Sequence, residues 1–412
     1  MRTRLHFLLI SSALSAASLS AESQTIRDSA GIQVVDNARP LLPTARLWRI
    51  DPSPIVTIGG QSAGADTMYE LDLVMGITRL RDGRYAVGVQ ASSAIRFYDT
   101  QGKFAGTAGR RGQGPGEFRQ VMGVRAIRGD TLVITDLGEV ELFTADGKFI
   151  GQGASRSRGD RFVYPSVVLE DGSYLGVLYG VDTPQPAGRR RDARPLVRVS
   201  RDGQRMDTIG TFLSNEMVYE GRGYGMGVAF SGYTGLAGDD QRIFVSSPTQ
   251  PEISQFALDG KLTRLIRFPH PPVKTSSEAT QAYRAWYLSM PGEDGRPMPP
   301  AMKARQEQML ERTVFADEFP PFHHNMMVDK AGNLWVQRYD YRSAFFTPGP
   351  VRTQTIAVPT RWNVVDPNGR WLCVVDLPAR FTPVEIGADY VAGVGRDIDD
   401  VEQVRVYRLR KP

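Results

Sequence analysis

Two stretches of this chain repeat each other. Residues 77–109 read ITRLRDGRYAVGVQASSAIRFYDTQGKFAGTAG, and residues 124–153 read VRAIRGDTLVITDLGEVELFTADGKFIGQG. Each has an apolar run, a turn rich in Gly or Asp, a second run, a short loop, a third run, an Asp- and Gly-containing turn, and a fourth run ending in Gly. Apolar runs joined by such turns read as a four-stranded antiparallel meander, with turn residues where tight hairpins need them. A repeat of roughly 40–50 residues built from four strands is the signature of a β-propeller blade.

The same rhythm continues downstream. A third blade runs through SVVLEDGSYLGVLYG and PLVRVSRDGQRMDTIGTF, and a fourth through GLAGDDQRIFVSSPTQPEISQFALDGKLTRLIRF. A fifth uses NMMVDKAGNLWVQRYD and RWNVVDPNGRWLCVVDLP. The sixth, FTPVEIGADYVAGVGRDIDDVEQVRVYRL, stops after its third strand. The segment Ile55–Ile58 is expected to supply the missing strand, because pairing the two ends closes the ring and removes exposed sheet edges. Residues 31–51 are expected to add an outer strand or run along a rim. Residues 274–315 fit no blade. A Ser276 or Ser277 cap, Ala279, Ala282, Tyr283 and Trp286 at helical spacing, and Met302, Gln306, Met309 and Leu310 after Pro299-Pro300 predict a helical hairpin between blades four and five. Trp286 and Met309 are expected to pack it on the propeller. The fold class is therefore all-β, a six-bladed β-propeller closed by an N-terminal strand and carrying a helical insertion.

The chain opens MRTRLHFLLISSALSAASLSAES, a basic start, an apolar stretch and small residues. That pattern reads as a signal peptide over residues 1–20, followed by one domain over 21–412. The apolar stretch is shorter than the ~20 residues a membrane span needs. The protein is thus expected to be exported, periplasmic or extracellular, and to have no transmembrane anchor. The only cysteine, Cys373, lies in an apolar run and reads as a core residue rather than a nucleophile. The 42 Gly and 27 Pro suit a turn-rich β chain. The net charge of +5 points to an anionic small molecule, a glycan or a protein partner. No nucleic-acid reader motif is present, so nucleic acid is not an expected partner, and a monomer is expected.

Turns between strands one and two, and three and four, are short in nearly every blade. The longer connections all open on the other face, where binding residues usually lie. The most distinctive motif there is Gly109-Arg110-Arg111-Gly112-Gln113-Gly114-Pro115-Gly116-Glu117-Phe118. It lacks the helix and the Lys-Ser/Thr of a phosphate loop, so a tight crossover anchored by Phe118 is the stronger reading. With its following apolar strand, the motif resembles NHL-type six-bladed propellers, in particular secreted bacterial members of unassigned function. The close match covers residues 55–153. The resemblance implies the fold and leaves the function open, since such scaffolds host binding proteins, hydrolases and lyases alike.

Candidate ligand-binding residues on this face are Arg111, Arg119, Arg189, Arg190, Arg222, Tyr224, Arg338 and Tyr339. Arginine forks and tyrosine faces suit anionic groups and glycans. Arg189–Arg191 are expected in the loop between strands two and three. Beyond the leader the histidines are His270, His323 and His324. Adjacent strand residues point to opposite faces, so His323 and His324 are not expected to share a metal, and three histidines argue against a three-histidine zinc centre. No metal site is assigned. Calcium stays open because Asp, Asn and Glu are plentiful. The leading reading is an exported propeller that binds through its Arg/Tyr-rich face. The rival is a propeller hydrolase or lyase at the channel mouth, calcium-dependent in one version, with His323 or His324 as a lone base.

Overall fold

In the computed structural model, residues 23–60, 66–136, 139–153, 157–158, 161–180, 186–221, 225–289, 298–343, 358–397 and 401–412 are described. The leader, Arg222 and Tyr224 lie outside them. The described chain is all-β with two α-helices and forms six sheets, each built around sequence-consecutive antiparallel strands to which the N-terminal segment adds in two cases.

The first sheet comprises Val74–Arg79, Tyr85–Val89, Ala94–Tyr98 and Phe104–Ala108. The second comprises Val121–Ile127, Thr131–Asp136, Val140–Phe143 and Phe149–Gln152. In chain order the third is built on Arg161–Val168, Tyr174–Tyr179, Gly188–Val199 and Met206–Tyr219, and the fourth on Leu236–Gly238, Arg242–Ser246, Glu252–Ala257 and Leu262–Arg267. The fifth is built on Phe322–Val328, Leu334–Arg338, Thr360–Val365 and Trp371–Leu377, and the sixth on Phe381–Ile386, Tyr390–Arg396 and Glu402–Arg410. The middle strands Tyr85–Val89 and Ala94–Tyr98 are buried throughout, as strands packed on both faces must be, whereas Phe104–Ala108 largely alternates. Turn chemistry fixes the registers. The Asp99 carboxylate accepts the Gln101 and Lys103 N–H groups at 2.9 and 2.8 Å, and Gly102 takes φ +84°. Asp329 and Asp366 repeat the arrangement in the fifth sheet.

The apolar residues sort into clusters, each shared by two neighbouring sheets. Phe97 and Ile95 of the first meet Phe118, Leu132 and Phe143 beside or within the second. Val133 and Leu142 meet Tyr174 and Val197 of the third. Leu175 and Leu196 meet Ile243 and Val245 of the fourth. Phe244 and Ile266 meet Phe322 and Val336 of the fifth. Trp335 and Trp362 meet Phe381 and Tyr407 of the sixth. Tyr390 and Val404 then meet Val74 and Tyr85 of the first. Face-to-face packing of this kind takes the sheets around a closed circuit, in which each face is covered by the next sheet.

The N-terminal segment ties the circuit from outside. Gln24–Ser29 and Ile32–Asn37 form a hairpin, and the latter pairs in parallel with Leu262–Arg267 of the fourth sheet. Leu41 and Leu42 donate to the carbonyls of Trp371 and Leu372 in the fifth. Arg49–Ile50 and Val56–Gly59 both pair with Glu402–Arg410 of the sixth, with Ile58 opposite Val404. The pairing expected of Ile55–Ile58 is present from Val56, and the segment before it adds outer strands as well as crossing a rim.

Helices α1 (Ser277–Ser289) and α2 (Pro300–Glu311) follow the fourth sheet, and the Ser276 hydroxyl caps α1 by accepting from the Ala279 N–H. Ala279 is buried, and Tyr283 packs with Phe230, Phe315 and Phe319 in a cap cluster. The face expected for α2 is only half right. Gln306 and Leu310 are buried, but Met302 and Met309 are exposed, because one turn of α2 faces inward and its flanks do not.

Candidate functional site

The glycine-rich loop satisfies itself. Gly109 takes φ +71°, and a Cβ there would lie 2.1 Å from the Phe118 ring. Phe118 is fully buried and packs on Phe143. The Glu117 carboxylate accepts the Gln113 and Gly114 N–H groups, each at 3.1 Å, and the Arg110 guanidinium at 2.9 Å. These contacts, the Gly114 N–H first and then Arg110, hold its proton affinity below the usual carboxylate range. The Gly116 N–H goes to Glu141, and those of Arg119 and Gln120 go to Asp136. With its amides used internally the loop has no cradle to offer, as the crossover reading expects. Arg111 donates to the Ala91 carbonyl at 3.1 Å, and the Arg119 side chain, just after Phe118, is exposed. Burial, with Asp136, Glu139 and Glu117 adding like charge, pushes the Glu141 carboxyl up to about 7.

The arginine run is not a loop. Gly188–Val199 is one strand, paired with Met206–Tyr219 in a ribbon that extends beyond the third sheet. Alternation sends Arg189 and Arg191 toward Glu216, at 2.7 and 3.4 Å, while Arg190 goes to Asp192 at 3.1 Å and lies over the Tyr219 ring. Cross-strand neutralisation explains why so charged a segment is extended. It also leaves these arginines with little net charge to attract a ligand.

The histidines correct the strand-alternation argument. Phe322–Val328 begins opposite Arg338, but its register slips between Phe322 and Met326. The irregularity interrupts the alternation, and His323 and His324 stand with ring centroids 4.2 Å apart. The segment before Leu236–Gly238 is pressed against them. A Cβ on Gly232 would meet the Pro248 carbonyl at 2.0 Å, and one on Gly235 would meet that of His324 at 2.6 Å. Only glycine permits this approach. Arg191 donates to the Gly232 carbonyl at 2.6 Å. Backbone so confined sets the Tyr233 ring 5.6 Å from that of His324. Tyr339 stands on Phe319 beside them, its hydroxyl buried without a hydrogen-bond partner.

These groups share an uncommon combination. His324 and Tyr233 are exposed, and His323 and Tyr339 are half-buried. All four nevertheless titrate as desolvated groups. Burial pushes His323 down to about 3, with the His324 charge adding, and it also lowers His324. It raises the Tyr233 and Tyr339 phenols, with Asp340 and Tyr233 adding to the latter. We read these side chains, which solvent reaches and protein crowds, as the lining of a candidate recess. The His323 Nδ1 accepts the Asn325 N–H at 3.4 Å, which puts the proton of the neutral ring on Nε2. The recess therefore offers ring faces and hydrogen-bond donors. Among the described residues no three His, Cys, Asp or Glu converge as a metal site. Cys373 is buried, its thiol raised to about 11.

Of the sequence-derived candidates, His323, His324 and Tyr339 belong to this recess and Arg338 adjoins it. Arg111, Arg189 and Arg190 are held elsewhere by their own contacts, and Arg119 is exposed beside the glycine-rich loop. Tyr233 and Arg191 were not singled out as ligand contacts, and the Gly-Tyr-Thr-Gly spacing at 232–235 was the available signal.

No family model matches the chain, and no curated protein matches it. Among solved structures, a member of the DUF4221 family from Bacteroides vulgatus aligns over 89% of this chain and 99% of its own, with 9% identity and a TM-score of 0.50. A gluconolactonase from Xanthomonas campestris covers 91% of this chain and 99% of its own at 15% identity and a TM-score of 0.42. Virginiamycin B lyase from Staphylococcus aureus covers 82% and 95% at 11% identity and 0.38. The likeness is to propeller-type folds and concerns the fold alone. No helix among the described residues is long and apolar enough to cross a membrane.

Proposed function

We propose that the protein is an exported, monomeric six-bladed β-propeller of NHL-like repeat, with α1 and α2 as an insertion between the fourth and fifth blades, that binds its ligand in the recess on the long-connection face. The leader-like sequence at residues 1–20 supports export. The six sheets and the closed circuit of shared cores support six blades. The observation that carries the binding site is the run of contacting, tilted rings of Tyr233, His324 and His323 beside Tyr339. Aromatic walls with a few convergent polar groups are the usual makings of a small-molecule site. The ligand is a ring-bearing small molecule or glycan, acidic by the basic balance of the chain, and a protein that presents such a group is the macromolecular version of the same reading. Binding is favoured over the rival hydrolase or lyase. His323, the more enclosed imidazole, holds a proton poorly near neutral pH, and among the described residues no carboxylate hydrogen bond orients either ring.

Calorimetric titration with neutral and acidic saccharides tests this. Tyr233→Ala and His324→Ala should each weaken a bound saccharide by about tenfold or more, as loss of a stacking face does. Arg189→Ala should leave it unchanged. The reverse pattern would move the site to the ribbon, and turnover of a bound ligand that stops in His324→Gln would replace binding by catalysis.

A further inference from the structure

Tyr233 is an exposed ring, yet the backbone that carries it is gripped from several sides. Phe230 takes φ +63°, a left-handed conformation unusual for so bulky a residue. Beside it, the Ala229 N–H donates to the Val314 carbonyl and the Ala229 carbonyl accepts from the Ala316 N–H, each at 2.8 Å. At the other end, the Gly235 N–H donates to the Ser246 hydroxyl at 2.8 Å, and the Gly235 carbonyl accepts from the Ser246 N–H at 3.0 Å. Between these ends the passage is tied to one stretch of the ribbon, residues 213–216. The Thr234 hydroxyl donates to the Leu213 carbonyl. One Arg191 nitrogen donates to the Gly232 carbonyl at 2.6 Å and to the Ser214 carbonyl at 3.3 Å, and the other reaches Glu216 at 3.4 Å. Tyr233 thus sits between two ties to the ribbon, one on each neighbouring residue. With its backbone fixed, only two side-chain torsions remain to place the ring.

Arg191 is the member of the arginine run that makes the tie to Gly232. Its side chain is 14% exposed, against 35% for Arg189. Burial pulls its proton affinity below the usual guanidinium range, whereas the Glu216 hydrogen bond raises that of Arg189. A desolvated guanidinium that donates to two main-chain carbonyls and a carboxylate uses its fork as a bracket. We propose that Arg191 is the positioning residue of the recess, holding the passage at residues 229–235 so that the Tyr233 ring stands against His324 before a ligand arrives. Arg191 acts through Tyr233 and not by contact with the ligand. A stacking face that is already ordered spares the ligand the cost of ordering it. The turn at Phe230 agrees with this, since strained backbone persists only where its surroundings over-determine it. For ligand affinity the inference rests on the recess reading; for the place of the Tyr233 ring it stands by itself.

The test reads the His324 ring protons in NMR spectra, which feel the ring current of Tyr233. His324→Gln assigns them, and Tyr233→Ala gives the shift for a lost ring. Arg191→Lys keeps a cation for Glu216 but has no fork to span that carboxylate and the Gly232 carbonyl. It should move the His324 resonances toward those of Tyr233→Ala, while Arg189→Lys leaves them in place. The Trp335 indole N–H, which donates to Asp329 at 3.1 Å in the fifth sheet, reports on the fold and should move in neither variant. Affinity for a saccharide should fall about three- to tenfold in Arg191→Lys, the cost of ordering one side chain. Where Arg191→Lys fails to fold, Arg191→Gln combined with Glu216→Gln removes both charges and carries the same readout. If His324 moves although the parent protein binds no saccharide, the positioning role stands and the recess reading falls. His324 resonances that stay in place in Arg191→Lys, move equally in Arg189→Lys or move together with Trp335 overturn the proposal. So does a His324 shift that leaves unchanged the affinity for a saccharide the parent binds.

Discussion

The glycine-rich loop at 109–118 and the recess around Tyr233 are both tight, glycine-dependent passages between neighbouring sheets, yet they spend their polar groups in opposite ways. In the loop, Glu117 collects the Gln113 and Gly114 amides and the Arg110 guanidinium, and Phe118 disappears into the core. In the recess, Gly232 and Gly235 bring backbones equally close, but the phenol of Tyr339 is left without a partner, as is the Nε2 of His270 nearby. A conspicuous motif can be wholly structural. Function is better sought where tight packing leaves polar groups unmatched.

That contrast can be broken by mutation. The largest effect is expected at Phe118. Phe118→Ala should cost about 3–5 kcal/mol in denaturant unfolding, as for a buried aromatic ring, and a loss under about 1 kcal/mol would mean that the loop is not an anchor. A smaller effect is expected at Glu141. Its folded pKa of about 7 lies above the unfolded value near 4.5, so the folded state binds the proton more strongly. This contribution to stability is complete below about pH 4.5 and is lost as pH rises to about 7. Glu141→Gln, which keeps an acceptor for the Gly116 N–H, should therefore gain stability over the parent as pH rises through that window, by on the order of 2 kcal/mol at pH 8. A difference independent of pH would show that Glu141 is ionised in the fold. The smallest effect on stability is expected in the recess. Tyr233→Ala should change unfolding by about 0.5 kcal/mol or less, the range of exposed positions, while its ligand affinity falls. A large loss of stability with unchanged binding would reverse the roles assigned to the two regions.

The blades were legible because their turns are overdetermined. Asp99 and Gly102 are read from sequence as a hairpin turn, and they perform that turn by hydrogen bonding and by φ. The recess was not legible, because it depends on an irregularity. Nothing in FHHNMMV announces that its register slips after Phe322, and strict alternation would have parted the two histidines that the slip brings together. Arg189–Arg191 were misread for a related reason. A charge run looks like a loop until Glu216 and Asp192, distant or offset in sequence, supply the partners that let it extend. The exposed Met302 and Met309 show that a helical stripe fixes a face without fixing how much of it a neighbour covers.

The external tie has a consequence in time. Asp51 pairs with Arg410, 359 residues apart, and Ile58 lies opposite Val404. Residues near the start of the described chain thus find their strand partner only after all the intervening sheets have been synthesised. Until then the edge that the sixth sheet will cover stays open, and every shorter intermediate has unpaired strands at both ends. So long a closure slows folding, since the loop entropy must be lost before the contacts form. The molecule therefore behaves as a clasp rather than a chain of independent blades. Cutting at residues 56–59 or at 402–410 should release the same join and leave both flanking sheets without their common seam.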